Sequence, residues 1–168
     1  MQYSPEVEKN AQDAVSQLME SDDTQLLEQL GLRARAMSQN PSIAGSFMPA
    51  VAAAGAQMGA KEDLQVLGQM LFKRWNKEVH TLLCGGDPTA AQDRQSLITS
   101  FGVSDVAVAG VMAMAMTSTL GVAPAIASIV ATLIIKRFFR PTMDEFCKFW
   151  GMKIAEADQA QPSPAPEG

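Results

Sequence analysis

Residues 106–135 run for thirty positions without a charged side chain, with Asp105 in front and Lys136 and Arg137 behind. A segment this long that is apolar on every side has to be hidden from water, in protein or in lipid, so it dictates how the remaining helices are arranged. Its middle, Thr117-Ser118-Thr119-Leu120-Gly121-Val122-Ala123-Pro124, has the composition of a turn. Ser104 can cap a helix that starts at Asp105, and an acid there suits the positive end of the helix dipole. Gly121 supplies the positive φ wanted just past a helix end near Leu120, and Pro124 suits the first turn of a second helix. That helix closes with Lys136, Arg137 and Arg140 at its negative end and is stopped by Pro141. The expectation is an apolar helical hairpin over residues 105–140.

Each arm holds about 15 residues, roughly 22 Å of helix. A bilayer core is roughly 30 Å thick and needs about 20 residues. Small residues four apart, Ala109 with Ala113 and Ala127 with Ala131, let helices approach closely in either medium. Length therefore favours a hairpin buried in the protein's own core over a membrane span.

The chain is long enough, at 168 residues, to bury such a hairpin in one domain. Charged residues make up 18%, below the usual quarter or so, which fits a large buried fraction. A net charge of −5 disfavours a general nucleic-acid binder, since such domains are basic. The first residues, Met1-Gln2-Tyr3-Ser4-Pro5-Glu6, show neither the basic nor the apolar region of a secretory signal. Two cysteines, Cys84 and Cys147, make no disulfide framework, so a reduced, cytoplasmic setting is the default. No segment alternates in the manner of a strand.

Helical periodicity fills the rest. Ser4-Pro5 opens a first helix with Val7, Ala11, Ala14, Val15 and Leu18 on one face. Ser21-Asp22-Asp23 caps a second, whose face is Leu26, Leu27, Leu30, Ala34 and Met37, with Arg33 and Arg35 serving its negative end. After the Asn40-Pro41-Ser42 turn, a third helical region carries Ile43, Ala44, Phe47, Met48 and Val51, broken or kinked at Pro49. Residues 50–60 are nearly all Ala and Gly. The longest helix, about residues 61–83, shows a stripe of Leu64, Leu67, Leu71, Trp75, Val79 and Leu82. Gly85 and Gly86 end it, and Asp87-Pro88 begins a helix with Ala91, Leu97, Ile98 and Phe101 inward. Thr142-Met143-Asp144-Glu145 is a capping box for the last helix, which buries Met143, Phe146, Cys147, Trp150 and Ile154. The fold class expected is all-α: seven or eight helices around the central hairpin, forming one domain over residues 1–158. Residues 159–168, polar and Pro-rich, make a disordered tail.

Little in the chain suggests chemistry. His80 and Cys84, four apart, share a helix face and could form a Cys–His pair or two metal ligands, but a structural zinc needs four, and only Cys147 remains as a soft donor. Adjacent acids at Asp22 and Asp23 and at Asp144 and Glu145 stand where helix caps want them. No catalytic, cofactor-binding or metal-binding residue is assigned, and the chain is not expected to be an enzyme. The one constellation singled out as a candidate interaction surface is Lys136, Arg137, Phe138, Phe139 and Arg140. Cations interleaved with aromatics suit a protein partner or a membrane interface. They also suit a plainer role, with the two Phe packed on Phe146, Phe149 and Trp150 while the cations cap carbonyls.

The functional expectation is a helical protein–protein interaction module or subunit, whose partner includes a second copy of the chain. The alternative is a conditional membrane-inserting, pore-forming protein using the 106–135 hairpin. No motif identifies a family. A buried apolar hairpin wrapped by amphipathic helices is an architecture shared with pore-forming colicin domains and Bcl-2-like proteins, an analogy that carries no site.

Overall fold

The computed structural model describes residues 4–49 and 61–160. Its seven α-helices are α1 (Pro5–Leu18), α2 (Asp23–Gln39), α3 (Lys61–Cys84), α4 (Ala91–Ser100), α5 (Asp105–Thr119), α6 (Pro124–Phe138) and α7 (Met143–Ala160). Short 3₁₀ turns at Pro41–Gly45 and Pro88–Ala90 interrupt the connections. Among the described residues there is no strand. The all-helical bundle expected from periodicity is what the chain forms.

The hairpin is α5 and α6, and it is the centre. Residues 107–116 of α5 and residues 125–135 of α6 are all buried. α1 and α4 pack on α5, while α1, α2, α3 and α7 pack on α6. The local signals work as written in the sequence. The Ser104 side chain accepts from the Ala107 N–H at 3.0 Å, Pro124 starts α6, and Gly121 turns the chain at φ +70°. A side chain at Gly121 would be strained in that left-handed conformation. Asp22 and Gln25 close a reciprocal capping box on α2. At the start of the Pro88–Ala90 turn, hydrogen bonds from the Thr89 N–H and then the Thr89 hydroxyl hold the Asp87 carboxyl below the usual carboxylate range.

Several faces are not where periodicity puts them. The buried residues of α3 are Leu64, Gly68, Phe72, Asn76, Val79, Leu82 and Leu83, so the expected stripe holds at Leu64, Val79 and Leu82. Leu67, Leu71 and Trp75 lie on its flank, half-buried. The reason is the neighbour. A Cβ at Gly68 would run into the Leu27 carbonyl, and one at Gly31 into the Leu64 carbonyl, so α2 and α3 meet backbone to backbone where both lack side chains. In α4, Leu97 and the preceding Ala90 point inward while Ala91 and Ile98 face solvent, because the 3₁₀ turn at Pro88 shifts the phase of the helix that follows. Val7 on α1 is likewise exposed. The third helical region reduces to the Pro41–Gly45 turn followed by extended chain at Ser46, which delivers Phe47 to the core. Val51 and the rest of residues 50–60 lie outside the described residues, as do residues 161–168 of the expected tail; Gln159 still belongs to α7.

The cysteines carry the clearest correction. Cys84, the last residue of α3, and Cys147, in the first turns of α7, are joined in a disulfide with their Cα atoms 5.7 Å apart. Spacing in the sequence could not show this, because 63 residues separate the two, and only the folding of α4, α5 and α6 between them brings α3 and α7 together. The case for a reducing compartment rested on free thiols and falls with it.

Candidate functional site

The five residues singled out at the end of α6 are placed as follows. Phe138 is buried, with its ring stacked on Trp150 and edge-on to Phe149 at centroid distances of 6.4 Å. Phe139 is half-buried, stacked on Phe101 at 5.6 Å and tilted against Phe146. Lys136 donates to the carbonyls of Met19 (2.9 Å) and Ser21 (2.7 Å), closing the α1–α2 corner. Arg137 donates through Nε to Asp23 Oδ2 at 2.7 Å and lies over the Phe72 ring. Arg140 lies 3.7 Å over the Phe149 ring. Each side chain thus has an intramolecular seat. The aromatics bind α6 to α7 and the cations bind it to the α1–α2 corner, α2, α3 and α7.

His80 and Cys84 are also drawn into a seam. Cys84 is in the disulfide, and His80 Nε2 lies 3.1 Å from the Cys147 carbonyl oxygen, so that nitrogen carries the hydrogen and donates. The imidazole is edge-on to Trp150 at 4.8 Å. Trp150, fully buried, donates its indole N–H to Asn76 Oδ1 at 2.6 Å. Beyond them, Lys77 pairs with Asp158 at the surface. Among the described residues, no group of three or more His, Cys, Asp and Glu is placed to hold a metal ion.

Arg33 is the residue that the helix-dipole argument misplaced. It is 2% exposed rather than solvated at a helix end. One guanidinium nitrogen donates to the Phe47 carbonyl (3.0 Å), the Ala125 carbonyl (2.9 Å) and Ser128 Oγ (3.1 Å); the other contacts Met48 Sδ. Ser128 in turn donates to the Phe47 carbonyl. These partners are neutral carbonyl, hydroxyl and thioether groups, and burial holds its pKa down to about 10. Below that value the group is protonated in folded and unfolded chains alike, so its burial penalty is constant at neutral pH. Above it the unfolded chain holds more protons, and this group's contribution to stability rises with pH until the unfolded chain also deprotonates. The signal was present in the sequence: Leu26, Leu30, Arg33 and Met37 follow one another at spacings of four, three and four, which puts Arg33 on the apolar face.

One open depression stands apart from these seams. Between α1 and α4, over α5, lies a groove of about 700 Å³. Its floor includes Val111 and Met114, and its walls carry Gln12 from α1 and Gln95 and Thr99 from α4, with Glu8 at one side. Both walls lean on α5, which leaves a channel between them. An apolar floor with amide and hydroxyl walls can hold an apolar side chain and hydrogen-bond the backbone that carries it. No described helix is long and apolar enough to cross a membrane.

Comparison with known proteins gives no match: no family model, no curated protein and no solved structure corresponds to this chain.

Proposed function

We propose that the chain is a non-enzymatic helical interaction module, a rigid scaffold that binds a protein segment on its surface. The observation that carries this is the groove between α1 and α4, whose lining is apolar below and polar at the sides, with the Glu8 carboxylate at one side. Such a lining favours a segment with one or two apolar anchors and few charges, helical or extended, whose polar backbone groups meet Gln12 and Gln95. The titratable residues elsewhere support the same reading by their employment: Asp22 and Asp87 cap helix starts, and Asp23, Asp158 and Lys77 pair across helix seams. Cytoplasmic placement loses its support with the Cys84–Cys147 bond, and an oxidising setting fits that bond better.

The test is selection of peptides from a random display library against the folded protein. Selected peptides should lose binding to Ser96→Arg and Thr99→Trp variants, which fill the groove from the α4 wall, while melting stays near wild type. Peptides that bind both variants unchanged would place recognition elsewhere.

Membrane insertion of the hairpin is the second reading, favoured by the charge-free run over residues 106–135. Against it weigh the buried bonds from Arg33 to Ala125 and Ser128, which insertion would have to break. The expected result is no dye release from anionic vesicles at neutral or mildly acidic pH. Strong release would reverse the ranking of the two readings.

A further inference from the structure

The buried face of α3 is set by Leu64, Gly68, Phe72 and Val79. At 3.6 residues per turn, the direction diametrically opposite passes between Val66 and Met70. Water should find polar side chains there, yet Val66 is 56% and Met70 64% exposed. Among the described residues, no other two exposed large apolar side chains stand one turn apart on the same helix. An isolated exposed apolar residue needs no explanation, but a pair aimed straight out from the longest helix does.

The charges around that pair carry the inference. Glu62 and Asp63 lie one turn before Val66, and Arg74 lies one turn after Met70, all exposed. Along one face the order is acid, Val66, Met70, base. Turn such a helix end over end about a point level with residue 68, and it complements itself. Val66 then meets Met70 of the copy, Glu62 meets Arg74, and Asp63 comes level with Lys73. This is the property an isologous two-fold contact requires, in which each residue's partner is related to it by the same rotation. Opposite charges flanking a small apolar seam also fix direction and register, as they do between paired helices elsewhere.

We propose that α3 pairs antiparallel with α3 of a second copy of this chain, through Val66 and Met70, with Glu62 and Arg74 as reciprocal ion pairs. The surface is distinct from the α1–α4 groove and stands or falls independently of it. The mount is rigid: α2 holds the first half of α3 through the Gly31 and Gly68 contacts, and the disulfide holds its end. Two helices crossing over roughly 36 Å cover an area at the low end of specific interfaces, so the dimer is reversible and concentration-dependent.

Sedimentation equilibrium of the full-length oxidised chain, from micromolar to millimolar, tests this. Wild type should show a monomer–dimer equilibrium, and Met70→Asp should be monomeric throughout. Glu62→Arg alone and Arg74→Glu alone should each weaken the dimer about tenfold, since two ion pairs per dimer turn repulsive. The double variant E62R/R74E should return to near wild-type affinity, because each pair is restored with its signs exchanged. Glu62, Val66 and Met70 face solvent in the monomer, so melting of the Glu62→Arg and Met70→Asp monomers should be unchanged, while Arg74 also lies 4.8 Å over the Trp75 ring, so the melting of Arg74→Glu is measured beside its affinity; if Met70→Asp does not fold, Met70→Gln replaces it. A wild type monomeric at every concentration overturns the proposal. So does a dimer indifferent to Met70, which would use another surface, or a double variant no tighter than the singles, which would exclude the antiparallel register.

Discussion

α3 is held at its two ends by opposite means. In its first half, α2 and α3 approach until the Gly31 and Gly68 backbones meet the carbonyls of Leu64 and Leu27, and the contact is made by what is missing. In its second half, α7 contributes the largest buried side chain of the chain, Trp150, with a hydrogen bond to Asn76, a histidine against its ring and a covalent link at the end. At Gly31 and Gly68 the first seam is decided by volume. The second is specified atom by atom. A seam of the first kind fails when anything is added, and one of the second kind fails when anything is taken away.

Taking away Trp150 should therefore have the largest effect. Trp150→Ala leaves a large cavity and orphans Asn76, for a loss of about 5 kcal/mol in urea unfolding. A loss below about 2 kcal/mol would mean that α7 is not part of the cooperative core. Next comes the covalent link. In the chain-entropy view, removing a cross-link over a loop this long costs about 4 kcal/mol, which Cys84→Ser with Cys147→Ser, or dithiothreitol, should reveal as a lowered midpoint. Unchanged stability on reduction would show that the noncovalent contacts alone hold the seam.

Adding matter to the first seam gives a test of sign. By helix propensity, Gly68→Ala should stabilise by about 1 kcal/mol. By contact with the Leu27 backbone it should destabilise by about 3 kcal/mol, and the second outcome is expected. A rise in Tm would dissolve the contrast between the two seams. The smallest effect belongs to Leu71→Ala. That side chain is half-buried on the flank of α3, so about 1 kcal/mol should be lost, well short of a full core deletion. A loss above about 3 kcal/mol would restore Leu71 to the centre of the packed face.

The same contrast explains what could be read before folding. The hairpin was legible because it is apolar on every side. No rotational phase had to be guessed, and Ser104, Gly121 and Pro124 marked its ends. The phase of α3 was not, because Gly68 and Asn76 sit at its buried centre and register as polar or blank in a hydrophobic pattern, while Leu67 and Leu71 on the flank look like core. The clue that could have fixed it is a shared spacing: Leu27 and Gly31 in α2, Leu64 and Gly68 in α3, each four apart and paired in reverse order. The cations of α6 were legible as helix-end charges. Their partners were not, since Met19, Ser21 and Asp23 lie more than a hundred residues away in the chain. Arg33 was taken for the commonest use of an arginine near a helix end, although its spacing from Leu26 and Leu30 argued otherwise. The groove belongs to three helices at once and leaves no mark in any single stretch.

The bond between Cys84 and Cys147 closes the chain on itself around α4, α5 and α6. The greasiest part of the protein is therefore threaded on a covalent ring, although it contributes neither of the two sulfur atoms. A single backbone cut anywhere in that ring releases no fragment, so nicked protein should migrate as one band without reductant and as two with it. While the ring is closed, neither arm of the hairpin can swing out on a free end, and any departure from the bundle must drag the junction of α3 and α7 along.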